Sequence, residues 1–311
     1  MHISEKSSNF AAKLGVGILF CPKTTAYVPT NIREKSSNFA PAKLIWREKR
    51  RKKRRDMAER NYWTHDELVL TLALYFQLPF GRLNRGTPEV KELARLIGRT
   101  DNSAALRLVN FAACDPYILA TGRHGMSSGQ GVCQPYWDEY ANDRERLYRE
   151  AAEIRARLQN KTLEQSLHIE LKDYTGHEKE AVIRQRVDQS AFRQMILNNY
   201  NSTCAITGIN DERLLIASHI IPWADNEETR LNPENGICLS ALYDKAFDKG
   251  LIAIRPDDFT IAISPSLRDS LSQEAFKTHF AGVENKPIMM PEEHRPAPDF
   301  LQYHMDKIFI A

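Results

Sequence analysis

The stretch from Cys204 to Ile254 constrains this chain more than any other, because it fixes an order of strand, loop, strand and helix within a short span. Leu214, Leu215, Ile216 and Ala217 form an apolar run that ends at Ser218 and His219. Ile220 and Ile221 follow, and Pro222, with no N–H to give, stops the ladder. Asn226 to Pro233 is charged and turn-forming. Asn235-Gly236 marks a turn and Ile237-Cys238-Leu239 a buried extended run. Ser240 then serves as the N-cap of a helix with Leu242, Ala246 and Phe247 on one face. Asp244 and Asp248 share a neighbouring face of that helix, so two carboxylates project together from it.

That order has a chemical use. A histidine at the end of one strand faces a helix with two hard oxygen donors, and an asparagine sits in the turn between them. His219 can take a proton from water near neutral pH. Asp244 and Asp248 can hold a divalent cation against a phosphate oxygen. Asn235 can fix the imidazole by bonding its backbone or its ring. Taken singly, each residue has a plainer reading: a structural histidine at a strand end, or a solvated helix face paired with Lys245 or Lys249. The joint pattern carries the hydrolytic reading. Cys204 and Cys238 belong to no C-x-x-C pair and read as small buried thiols rather than zinc ligands.

The segments CAITG (204–208), SHIIPW (218–223) and NPENGICLSALYDKAFDKGLI (232–252) resemble the HNH nucleases with a ββα-metal core. They most resemble the subgroup found in restriction-type endonucleases. The resemblance implies metal-dependent DNA cleavage, with His219 as general base and Asn235 orienting it. It puts the last His/Asp ligand position on Asp244 and adds Asp248 from the Phe-Asp pair. Two departures leave the coordination sphere open. Ser218 stands where many members carry an Asp or His ligand, and Tyr243 where some carry His. They also keep open a second reading, a DNA-binding regulatory protein whose core no longer cuts. Oxygen-rich ligands favour Mg²⁺ or Mn²⁺ over zinc.

The chain has 311 residues, enough for two domains that each bury a core. Its five cysteines are scattered, with no disulfide framework, which favours a reducing cytoplasm. No apolar run approaches the ~20 residues of a membrane span. The net charge of +3 is a property of one end: residues 1–56 hold 14 Lys/Arg against 4 Asp/Glu, a balance of +10, so residues 57–311 carry −7. A grip on DNA by the folded part then has to come from local patches and a metal rather than from the overall field. Residues 1–56 read as a disordered basic extension, dispensable for catalysis, in which EKSSNFA occurs twice.

Residues 57–137 read as a helical DNA-recognition domain. Thr64-x-x-Glu67 is a capping box, Thr87-Pro88-Glu89 opens a second helix that Gly98 ends, and Asn102 or Ser103 starts a third. Two helices joined by a short glycine turn have a helix-turn-helix outline, and the alternative is a plain three-helix bundle. In the first reading Arg99, Asn102, Ser103 and Arg107 lie where such motifs meet DNA. Gly122 to Gly131 reads as a flexible surface loop, since it lacks the Lys-Ser/Thr of a phosphate loop. Residues 138–176 read as a linker helix whose stripe of Tyr140, Leu147, Ala151, Ile154 and Leu158 suits a dimer contact. Residues 177–311 form the nuclease domain. Arg184, Arg186 and Arg193 in its lead-in helix are either phosphate contacts or ordinary solvated charges. FTIAIS (259–264) is a strand paired with Leu251–Ile254, and the chain closes in a helix. The expected architecture is α+β, a helical amino-terminal domain followed by an HNH core. Cutting both strands of a duplex needs two cores and so predicts a homodimer.

Overall fold

The computed structural model describes residues 62–168 and 176–311. The basic extension and its repeated segment lie outside these residues. Residues 62–311 make one compact unit, and its architecture is α+β: a helical half followed by two small antiparallel sheets.

Helix α1 (His65–Tyr75) begins at the capping box its sequence announces. Thr64 Oγ1 accepts from the Glu67 N–H at 3.3 Å and Glu67 Oε2 accepts from the Thr64 N–H at 2.7 Å. The apolar run from Leu68 to Tyr75 is buried throughout. Helices α2 (Pro88–Leu96) and α3 (Asp101–Ala112) are separated by Gly98, whose φ of 67° is the left-handed turn that favours glycine. The third helix starts earlier than its sequence suggests. Thr100 is the N-cap, because its hydroxyl reaches the Ser103 N–H at 3.2 Å and satisfies a donor that an Asn102 cap would leave open.

Helices α4 (Pro116–Ala120), α5 (Gln130–Tyr140), α6 (Arg144–Leu158) and α7 (Leu163–Leu167) complete the helical half. The glycine-rich segment is not a free loop. Asn110 Nδ2 donates to Met126 O at 2.7 Å, tying it to α3, and α5 begins within it. The stripe expected to pair with a second copy is used inside the chain. Tyr140, Leu147, Ala151 and Ile154 are all buried, and Leu158 is exposed.

Helix α8 (Gly176–Asn199) changes character along its length. Its amino-terminal half carries the exposed Arg184 and Arg186, whereas Val187, Ala191, Phe192, Met195 and Ile196 are core. Strands β1 (Leu215–His219) and β2 (Gly236–Ser240) pair antiparallel, with His219 opposite Gly236 and Ser218 opposite Ile237. Helix α9 (Ala241–Asp248) follows directly. Leu242 proves exposed. The buried face of α9 is Tyr243, Ala246 and Phe247, because it packs on β1 and β2 with those positions. Side chains alternate across a strand, so the sheet is divided between α8 on one face and α9 on the other. Strands β3 (Ile252–Ile254) and β4 (Ile261–Ile263) form the expected second hairpin. Helices α10 (Pro265–Ser270), α11 (Gln273–His279) and α12 (Pro298–Lys307) close the described chain.

Candidate active site

The end of β1 is where the chemistry-bearing residues gather. His219 lies on the α8 side, its imidazole face to face with the Phe192 ring at 3.7 Å and 12°. Trp223 meets it edge-on at 5.5 Å. Its Nε2 lies 3.1 Å from the Arg230 carbonyl. A carbonyl only accepts, so this contact holds the proton on Nε2 and leaves the lone pair on Nδ1. Burial lowers the pKa of His219 below the ordinary histidine value, and the Arg230 charge adds to that, while the bond to its carbonyl works the other way. The ring is therefore neutral at neutral pH, the form that can accept a proton.

Asn235 is fully buried and does not touch that ring. Its Oδ1 accepts from the Ile221 N–H at 2.8 Å, and its Nδ2 donates to Ile221 O and Thr229 O, each at 3.2 Å. Its own carbonyl accepts from the Ile220 N–H at 2.9 Å. Asn235 thus fastens the start and the end of the 220–234 loop together. Its bonds hold the backbone just after the histidine and, at Thr229, the segment that carries the Arg230 carbonyl.

The carboxylates belong to the other face. Asp244 is buried and its pKa is raised, first by desolvation and then by the Asp248 charge. Asp248 is raised by desolvation, against the pull of Lys245 and Lys249. Ser218, the residue before the histidine, is buried beside Asp244, and its hydroxyl favours the charged form of that carboxyl. Two repelling acids beside that hydroxyl suit a hard cation that supplies the missing charge and takes an oxygen ligand. Among the described residues no group of three or more His, Cys, Asp and Glu side chains forms a metal cage. The donor set matches an ion that keeps several of its own waters, as magnesium does. No hydrogen bond or ion pair joins His219 to Asp244 or Asp248. Imidazole and carboxylates flank the strand end from its two sides.

Tyr243, at the second departure from the family pattern, is buried with its hydroxyl bonded to the His279 carbonyl, pointing away from ligand duty. Cys204 is structural in an unexpected way. Its Sγ accepts from the Ser240 N–H at 3.1 Å and the Thr207 N–H at 3.4 Å. Ser240, at the N-cap position of α9, makes no side-chain cap bond there. Burial opposes the thiolate, but the Thr207, Ile206 and Ser240 donors outweigh it and lower the Cys204 pKa.

The residues expected at DNA divide in two. Arg99 bonds both Glu67 oxygens at 2.8 and 2.7 Å, and Arg99 and Arg107 lie over the Trp63 ring, each at 4.7 Å. Arg193 donates to Leu215 O at 2.7 Å and Glu212 O at 2.8 Å, bolting α8 to the entry of β1. Asn102, Arg184 and Arg186 are exposed, and Ser103 is half-buried. A cavity of about 560 Å³ borders the 227–234 loop, lined by Tyr75, Phe76 and Trp137 and by the acids Glu145, Glu228 and Glu234. That acidic lining does not suit a phosphate backbone.

Sequence reasoning did not single out Phe192 or the Arg230 carbonyl. Phe192 carries the ordinary signal of a core helix position, and a main-chain carbonyl carries none. With this geometry in place, comparison with known families adds that residues 204–255 match the model of a family described as HNH endonuclease. No curated protein matches the chain.

Proposed function

The chain carries an HNH endonuclease domain over residues 204–255, the domain of a nuclease that hydrolyses phosphodiester bonds, and from that premise we propose that it is a restriction or defence enzyme cutting specific or modified DNA. Nucleases of this family generally work with a divalent metal, here Mg²⁺ or Mn²⁺, held by Asp244 and Asp248 with Ser218 as a further oxygen donor. When bound, the cation supplies positive charge to the phosphate oxygens as the phosphorus becomes five-coordinate.

The other steps belong to the chain. His219 Nδ1 takes a proton from the attacking water, and the Arg230 carbonyl keeps the imidazole in the tautomer that allows it. Asn235 holds the loop that presents that carbonyl. A phosphodiester lying across the open end of β1 meets the imidazole from one side and the carboxylates from the other. Arg184 and Arg186 on α8, with Asn102 and Ser103 on α3, are the accessible set for the phosphate backbone. Arg99, Arg107 and Arg193 support these contacts from behind, since their guanidinium groups are engaged within the fold.

The observation that carries this reading is the neutral, carbonyl-anchored imidazole at one side of a strand end whose other side holds two pKa-raised carboxylates. Plasmid nicking in Mg²⁺ or Mn²⁺, with His219→Ala and Asp244→Asn beside the parent, tests it. Metal-dependent nicking lost in both variants is the expected result. Nicking that survives His219→Ala removes the histidine from the mechanism. Ser218 at a ligand position favours the second reading, a regulatory DNA-binding protein, which the same assay supports if the parent binds DNA and never nicks it. Unequal cutting of methylated, glucosylated and plain DNA supports the restriction role, and equal cutting of all of them argues against it. A duplex cut in both strands calls for two copies, measurable as dimerisation on DNA.

A further inference from the structure

We infer that Phe192 is a positioning residue for the reaction, holding the plane of the His219 imidazole; the inference rests on the reading of His219 as the base. Three observations carry it. The two rings are parallel within 12° at a centroid distance of 3.7 Å, so Phe192 covers one whole face of the imidazole. Phe192 itself is buried in the core of α8 and cannot follow the histidine if the latter swings away. The strand opposite is shaped around it. At Gly236, the cross-strand partner of His219, an added Cβ would lie 2.7 Å from Phe192 Cζ and 2.3 Å from Ile196 Cδ1. Only glycine lets α8 come close enough for the stack to form.

The consequence follows from geometry. A hydrocarbon ring over one face closes that face of the imidazole to water. With Nε2 tied to the Arg230 carbonyl and one face closed, the ring has a single edge left for a water molecule, the Nδ1 edge. Trp223 stands at right angles to it and limits tilting.

The test uses Phe192→Leu in the full chain, with Phe192→Met, whose unbranched flexible side chain adapts to irregular space, as the second variant if leucine fails to fold. The expected result is a kcat for plasmid nicking lowered about 10- to 100-fold, the loss that a small misplacement of a reacting group produces, with KM for DNA nearly unchanged. Histidine labelled at ¹³Cε1 gives a readout independent of activity. In the parent the His219 ring proton, assigned by its disappearance in His219→Ala, should be shifted upfield by the phenyl face, and in the variants it should lose that shift. A folded variant with unchanged kcat overturns the inference while His219→Ala still abolishes nicking. So does a parent His219 signal without the upfield shift. Nicking that survives His219→Ala instead overturns the base assignment itself, and with it the catalytic role of Phe192.

Discussion

His219 and His304 occupy nearly the same local geometry. Each is stacked on a phenylalanine at 3.7 Å, at 12° on Phe192 and at 10° on Phe247, and each has Nε2 at 3.1 Å from a main-chain carbonyl. Each has its pKa lowered by burial. The two differ in what surrounds the second nitrogen. His304 is 1% exposed and its Nδ1 is buried with no partner, whereas His219 is only half-buried at the end of a strand. His304 clamps α12 onto the carbonyl of Phe247, next to Asp248, with its second nitrogen closed off from solvent. Ring chemistry alone therefore does not separate a candidate base from a structural histidine. Access to the free lone pair does.

The sharpest test of that contrast is to remove each ring in turn. His219→Ala should lower nicking by about 10²- to 10⁴-fold, the usual contribution of a general base, while thermal unfolding stays close to the parent's. Asp244→Asn should also abolish most nicking and should split the two faces of the site by a second measurement. Manganese should raise the melting temperature of the parent and not that of the variant.

The sign for the metal-free protein runs the other way. A carboxyl whose folded pKa is raised costs stability as pH rises through the interval above its ordinary value, so Asp244→Asn should slightly stabilise the metal-free chain at neutral pH. His304→Asn should invert the histidine comparison: a lower melting temperature with little change in kcat per folded molecule. His304 titrates at about 4 in the fold against 6.5 when unfolded, so the parent should lose roughly 3 kcal/mol as pH falls across that window. Denaturant titrations from pH 7 to 4 should show the slope in the parent and a shallower one in the variant. The smallest effect is expected on α8. Arg184→Gln and Arg186→Gln should weaken DNA binding modestly and reduce its salt slope by about one per residue. Arg193→Gln should instead lower stability, because its bonds go to Leu215 O and Glu212 O.

Much of the local structure was legible because it depends on neighbours in sequence. The capping box at Thr64 and Glu67, the turn at Gly98, the paired runs around Ser218 and Ile237, and the 252–263 hairpin all follow from spacing, caps and turn residues. The failures were equally physical. Leu242 and Leu158 fit apolar stripes and are exposed, since which side of a helix is covered depends on what packs there. Arg99, Arg107 and Arg193, read from the sequence as candidate DNA contacts, hold partners within the fold at Trp63, Glu67 and the start of β1, far away in the chain and invisible to local pattern.

By itself, then, the sequence determined which residue types stand at the strand end, in the turn and along the following helix, because strand and helix periods are set by the covalent chain. Only the tertiary structure decided that Ser218 and His219 lie toward opposite faces, that the Asn235 side chain bonds main-chain groups of Ile221 and Thr229, and that Phe192 lies on the imidazole. These are matters of which surfaces meet across the sheet, and close packing of α8 against Gly236 settles them with contacts no local pattern encodes.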